Sequence, residues 1–181
     1  RDRMCMAFKA PNGLHKDAIT LKALSHIISN GPQSLATPFK ENTSNKLHDV
    51  MASWQRMKDP YLFSIWATTN IGTQEALEEA EKIVLEIVDL CKTKNMVEPL
   101  KRAKQYIRNS WTNKMVGTRA VAAEINEAIA RGDAFDVHRR EEILDSITAE
   151  DVQSCANKYF DLKQSTAVSY THLTLPTSYA V

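Results

Sequence analysis

Tyr61–Thr69 reads YLFSIWATT. Aromatic and β-branched residues crowd this stretch, and Tyr61, Phe63, Ile65 and Ala67 fall at every second position. That period places them on one face of an extended strand. Asp59-Pro60, just before it, signals a turn. Toward the N-terminus, Leu47, Val50, Ala52 and Trp54 predict another strand whose period slips. Arg3–Ala10 alternates on Met4, Met6 and Phe8 and stops at Pro11-Asn12-Gly13, a third strand closed by a turn. Between these strands, Asp17–Ser29 carries Ile19, Leu21, Leu24, Ile27 and Ile28 at helical spacing, and Gly31-Pro32 ends it. Gln33–Glu41 reads as a short helix or turn, weakened by Pro38.

Toward the C-terminus the pattern becomes helical. Thr73 can cap a long helix through Lys92, whose inward stripe is Leu77, Ala80, Ile83, Val84, Ile87, Val88 and Cys91. A second helix runs from Val97 to Met115, with Leu100, Ala103, Ile107 and Trp111 inward and Pro99 in its first turn. Thr118–Arg131 forms a third, stopped by Gly132, and Phe135–Ser146 a fourth. Thr148-Ala-Glu-Asp151 has the spacing of a capping box and opens a fifth helix that ends near Tyr159-Phe160. Lys163–Tyr170 reads as a last strand. Strands placed early and late around a helical run predict an α+β fold, with a mostly antiparallel sheet covered by helices on one face.

The chain has 181 residues, enough to bury one domain core. It is 43% hydrophobic and 25% charged with a formal net charge of +1, the balance of a soluble globular protein. No basic field for nucleic acid follows from that charge. No apolar run approaches the ~18 residues of a membrane span. Cys5, Cys91 and Cys155 are widely spaced and form no CxxC pair, so small buried hydrophobes are expected. Arg1 is followed at once by strand pattern, which suggests a fragment whose targeting region is missing. The domain is expected to cover residues 1–168. Ser169–Val181, SYTHLTLPTSYAV, contains no Asp, Glu, Lys or Arg and resembles translated adapter read-through; it is expected to be a non-native or disordered tail.

Motifs for chemistry are sparse. A zincin motif of the inverted type needs His-x-x-Glu-His, two imidazoles for zinc and a Glu to activate water. His138-Arg139-Arg140-Glu141-Glu142 has Glu where the second His belongs, and two arginines within it would repel a dication. Ile143, Leu144 and Ile147 give this stretch an apolar face, so it reads as a solvated amphipathic helix. His15, His26, His48 and His172 have no second His or Cys at ligand spacing; His26 reads as partly buried and His15 as solvated. No G-x-S-x-G and no glycine-rich phosphate loop occurs. Glu75, Glu78, Glu79 and Glu81 sit where a helix dipole favours acids. Lys101, Arg102, Lys104 and Arg108 read as a solvated basic face.

Several segments together resemble the C-terminal, non-zinc-binding domain of pitrilysin/insulinase-family zinc metallopeptidases. They are MCMAFKAPNG from Met4, DAITLKALSHIISNGPQSL from Asp17, and KDPYLFSIWATTNIG from Lys58. LKRAKQYI from Leu100, Trp111, AIARGD from Ala128, and REEILDSITAEDVQSCANKYF from Arg140 complete the series. Each piece is loosely specified; their order and spacing across residues 4–168 carry the likeness. The resemblance implies an antiparallel sheet flanked by helices, in a molecule of two related halves. It implies an accessory, substrate-chamber domain of a zinc-dependent metalloendopeptidase. Zinc would be bound outside this chain, by a partner domain or subunit, and peptide would be the substrate. The alternative is a non-catalytic structural core-type subunit or a peptide-binding module of the same family. The family often has Ser-Arg-Leu and a following Tyr that contact substrate; here the segment is Ser34-Leu35-Ala36, and no Tyr precedes Tyr61. Ser34, Lys46 and His48 remain as candidate substrate contacts.

Overall fold

Strands whose alternate residues are large and apolar need one covered face, and the helices that follow provide it. The computed structural model describes residues 2–42 and 47–170. Its strands are β1 (Arg3–Ala10), β2 (Leu47–Trp54), β3 (Tyr61–Thr69) and β4 (Thr166–Tyr170). They form an antiparallel sheet in the order β2-β3-β1-β4. The helices are α1 (Ala18–Ser29), α2 (Thr37–Asn42), α3 (Gln74–Thr93), α4 (Val97–Lys114), α5 (Thr118–Arg131), α6 (Asp136–Ser146) and α7 (Ala149–Tyr159). The α+β fold with an antiparallel sheet is therefore the one observed.

Helices α1, α3 and α7 lie on the sheet, and α4 packs behind α1. The inward stripe expected of α3 is buried at every position named. Thr73 caps the helix by accepting from the Ala76 N–H at 3.3 Å. At α7, Thr148 and Asp151 close a reciprocal capping box. Gly132 ends α5 at φ 96, in the left-handed region where only glycine is at ease.

The strands show further detail. On β3 the buried residues are Phe63, Ile65, Ala67 and Thr69, whereas Tyr61 is 48% exposed at the margin of the covered face. The slipped period of β2 is a register irregularity between Leu47 and Asp49 against β3. Strand β4 is shorter than Lys163–Tyr170, because Leu162–Gln164 forms a 3-10 turn under an Asp161 cap. Ser169 and Tyr170 continue β4, paired with Met4 and Arg3.

Cys91 and Cys155 are buried, but Cys5 is only half-buried. It sits on the sheet face opposite the helices, in register with Trp66 on β3 and Val168 on β4, and Met51 on β2 faces Trp66. Met51, Trp66 and Val168 are all exposed. The uncovered face thus carries an apolar row across all four strands.

Candidate substrate-contact site

The turn between α1 and α2 carries Ser34. Its backbone folds back on α1: the Leu35 and Ala36 N–H groups donate to the carbonyls of Ile27 and Ile28, each at 3.0 Å. Gly31, at φ 87, makes the reversal possible. Leu35 and Ala36 are core residues, 3% and 0% exposed. The middle position of the Ser-Arg-Leu resemblance is therefore an apolar anchor here, and an arginine would have to be buried at Leu35. Ser34 is itself buried, its hydroxyl 3.0 Å from that of Thr37. It edges a groove of about 320 Å³ that His26, Asn30, Arg102 and Tyr106 also line. His48 is exposed on β2, on a different element, and does not line this groove. Lys46 lies outside the described residues.

His26 is 9% exposed, and its ring packs against Tyr106 with centroids 4.7 Å apart. The Asn30 amide pairs with its Nδ1. Burial, and secondarily the charge of Lys22, pushes this imidazole down to about 4 from 6.5. The sign follows from the two states. The unfolded chain takes up a proton near pH 6.5, but the folded chain refuses it until about pH 4. Stability from this group is intact above 6.5 and falls between 6.5 and 4, by on the order of 3 kcal/mol. Urea unfolding at stepped pH is expected to show this loss, and His26→Gln is expected to flatten it. Identical slopes in the two proteins would contradict the assignment.

Other residues singled out in the sequence lie on α3, α4, α6 and α7. His138, Glu141 and Glu142 are exposed along α6. Among the described residues, no three of His, Cys, Asp and Glu gather as a metal site. Arg140 corrects the reading of this stretch as solvated: it is 4% exposed, bonded to Glu124 and stacked over Trp111 at 4.7 Å. Trp111, expected inward, is half-buried beneath it. Ile143, expected on the apolar face, is 41% exposed. Half of the basic cluster of α4 is also engaged. Lys104 Nζ donates to the carbonyls of Asp145 and Ile147 at 2.9 and 2.7 Å, and Arg108 pairs with Asp145. These cations tie off the C-terminus of α6, where carbonyls lack partners. The thiols of Cys91 and Cys155 are pushed up to about 12, chiefly by burial, which removes them as nucleophiles.

No protein-family profile and no curated protein matches the sequence. Solved structures do match the fold. The inactive peptidase domain of a candidate zinc protease from Bordetella parapertussis superposes with a TM-score of 0.84 at 18% identity, over 99% of this chain and 95% of that one. The chain has the fold of an inactive peptidase domain. A protease from Helicobacter pylori matches this inactive-domain fold at TM-score 0.79 and 22% identity, over 93% of the chain. The chain spans only 40% of that protease. A chain of complex III2 from Candida albicans matches at TM-score 0.79 and 13% identity, over 93% of this chain and 42% of its own length. The likeness to pitrilysin/insulinase non-zinc domains read from the segments above thus holds at the level of the fold.

Proposed function

We propose that this chain is a non-catalytic domain of a zinc-dependent metalloendopeptidase, whose zinc is held by a partner domain and whose peptide this domain helps to position. The supporting observation is an inactive-peptidase fold in which His138, Glu141 and Glu142 of the near-miss motif are exposed to solvent on α6. The domain's share is orientation of the peptide, which lowers the entropic part of the barrier. Two features suit that role. Strand β4 is an exposed sheet edge able to accept an extended peptide by strand addition. The apolar row of Met51, Trp66 and Val168 offers the partner domain a surface to cover.

A second reading is a structural subunit without peptide contact. The match to a complex III2 chain and the buried Leu35 in place of an arginine favour it.

Elemental analysis of the purified chain after zinc equilibration and desalting is expected to find far less than one zinc per chain. Titration of an extended peptide into ¹⁵N-labelled protein is expected to shift amides of β4 or of the Ser34 groove. One zinc per chain with chelator-sensitive hydrolysis sinks the proposal. Silent amides at millimolar peptide favour the structural subunit.

A further inference from the structure

A separate cavity of about 630 Å³ is walled by α1, the end of β2 and the loop after it, α4, α5 and α6. That size suits a small molecule, for which sites of about 300–1,000 Å³ are usual. Six cations line it: Lys22, Arg56, Lys58, Lys114, Arg131 and Arg140. The facing carboxylates are Glu124 and Glu127, with Asp136 bonded behind Arg56. All three are already shared. Asp136 takes both guanidinium nitrogens of Arg56 at 2.7 Å and one of Arg131 at 3.4 Å. Glu124 takes Arg140 at 2.8 Å and Lys114 at 3.0 Å, and Glu127 takes Arg131 at 3.4 Å.

The excess of positive charge has a location. Among the described residues no carboxylate pairs with Lys22, and its charged neighbour is Lys114. Burial, then the charge of Lys114, lowers the pKa of Lys22. Trp54, 2% exposed, also lines the cavity, and its indole N–H is buried with no acceptor among the described residues. The Nε of Arg131 is likewise unpartnered. Buried donors are rarely left in this state, because an unmade hydrogen bond costs the full desolvation of the group. Trp111 adds an aromatic wall.

We propose that this cavity binds a small organic oxyanion, a carboxylate or phosphate ester carrying a ring, with its charge at Lys22 and Lys114 and an acceptor on Trp54 Nε1. The site lies apart from the Ser34 groove, and the inference stands independently of the peptidase reading.

The three tryptophans make the test direct. Trp54 and Trp111 line the cavity, whereas Trp66 is exposed on the outer sheet face and serves as an internal control. Phenyl phosphate and benzoate are titrated separately into the ¹⁵N-labelled chain at low salt, with benzyl alcohol as the uncharged comparison. Indole signals are assigned with Trp66→Phe and Trp111→Phe. The Trp54 and Trp111 indole N–H signals are expected to move with either anion, and the tighter of the two names the ester or the carboxylate. The Trp66 signal should stay still. Combined Lys22→Gln and Lys114→Gln should weaken binding by about tenfold or more in a protein whose amide spectrum remains that of the folded chain, and added potassium chloride should weaken it further. No movement of the Trp54 signal at millimolar anion overturns the proposal. So does equal movement with benzyl alcohol, or an affinity indifferent to salt and to the two lysines.

Discussion

Truncating Phe160 to alanine is expected to lower the unfolding free energy by about 3–5 kcal/mol. The ring is fully buried and sits between Phe8 and Phe63, with centroids 5.0 and 4.9 Å away. Those partners belong to β1 and β3, the two central strands. The residue also caps α7, its N–H donating to the Ala156 carbonyl at 2.9 Å. Its own carbonyl accepts from Lys92 Nζ on α3 at 2.8 Å. One position thus joins sheet, α3 and α7, and the cavity left by truncation is walled by aromatic rings that cannot easily collapse into it. Tilted aromatic pairs add about 0.5–1.5 kcal/mol beyond burial, which places this site at the upper end of the range. Urea unfolding followed by tryptophan fluorescence measures the loss as a lowered midpoint at unchanged slope. Phe135→Ala, at a residue 71% exposed, is the companion control and should stay within about 0.5 kcal/mol. A loss at Phe160 no larger than at Phe135 would mean that the three rings do not form one packed unit.

Local patterns made most elements legible. The α3 stripe needed only the helical period and a Thr at the start, and both act within a few residues of chain. Gly132 is legible for the same reason, since its positive φ is a property of one residue. The strand order β2-β3-β1-β4 is not a local property. It depends on pairing Arg3 with Thr68 on one side and with Tyr170 on the other, contacts that no periodicity encodes. The likeness to a known domain implied an antiparallel sheet flanked by helices but carried no strand order. At β2 the alternation failed because one bulged residue shifts every later side chain to the other face.

The polar interior was the part missed. By sequence, His138–Glu142 reads as the solvated side of an amphipathic helix whose apolar face is Ile143, Leu144 and Ile147. Leu144 and Ile147 are buried as expected, but the charged Asp136 and Arg140, spaced four apart in line with Leu144, are buried as well. Hydrophobic periodicity discards charged residues, so a stripe anchored by an ion pair is invisible to it. A usable signal did exist: Asp136 and Arg140 share the i, i+4 spacing of Leu144. Of the candidate contacts, Ser34 lies buried in a turn and His48 lies exposed on β2.

The second large effect is expected at Glu124. Helix α5 buries little else: Glu124 and Ala128 are its buried residues. Glu124 receives Arg140 at 2.8 Å and Lys114 at 3.0 Å, joining α5 to α6 and α4. Glu124→Ala would leave the Arg140 guanidinium, whose side chain is 5% exposed, buried without its carboxylate. Breaking such a pair from one side costs about 3–5 kcal/mol, because the surviving charge loses its compensation. With so little apolar anchorage, part of that loss should appear as local opening, read as faster amide exchange across α5 and α6 than across α3. Glu124→Ala with Arg140→Met should recover much of the stability, since an apolar pair needs no compensation. The pH dependence has a fixed sign. Burial alone would raise the Glu124 and Asp136 carboxyls, but hydrogen bonds from Arg140 and Lys114, and from Arg56, outweigh it and hold both below the usual range. Their contribution is present above the unfolded carboxylate value of about 4 and is lost as pH falls through the lower folded values. The His26 loss belongs to the interval from 6.5 to about 4, so the two effects separate on one titration. The double variant should therefore lose less stability than wild type below about pH 4, while both decline alike above it. Equal acid sensitivity of the two proteins, with unchanged exchange in α5, would remove Glu124 as the anchor of this helix.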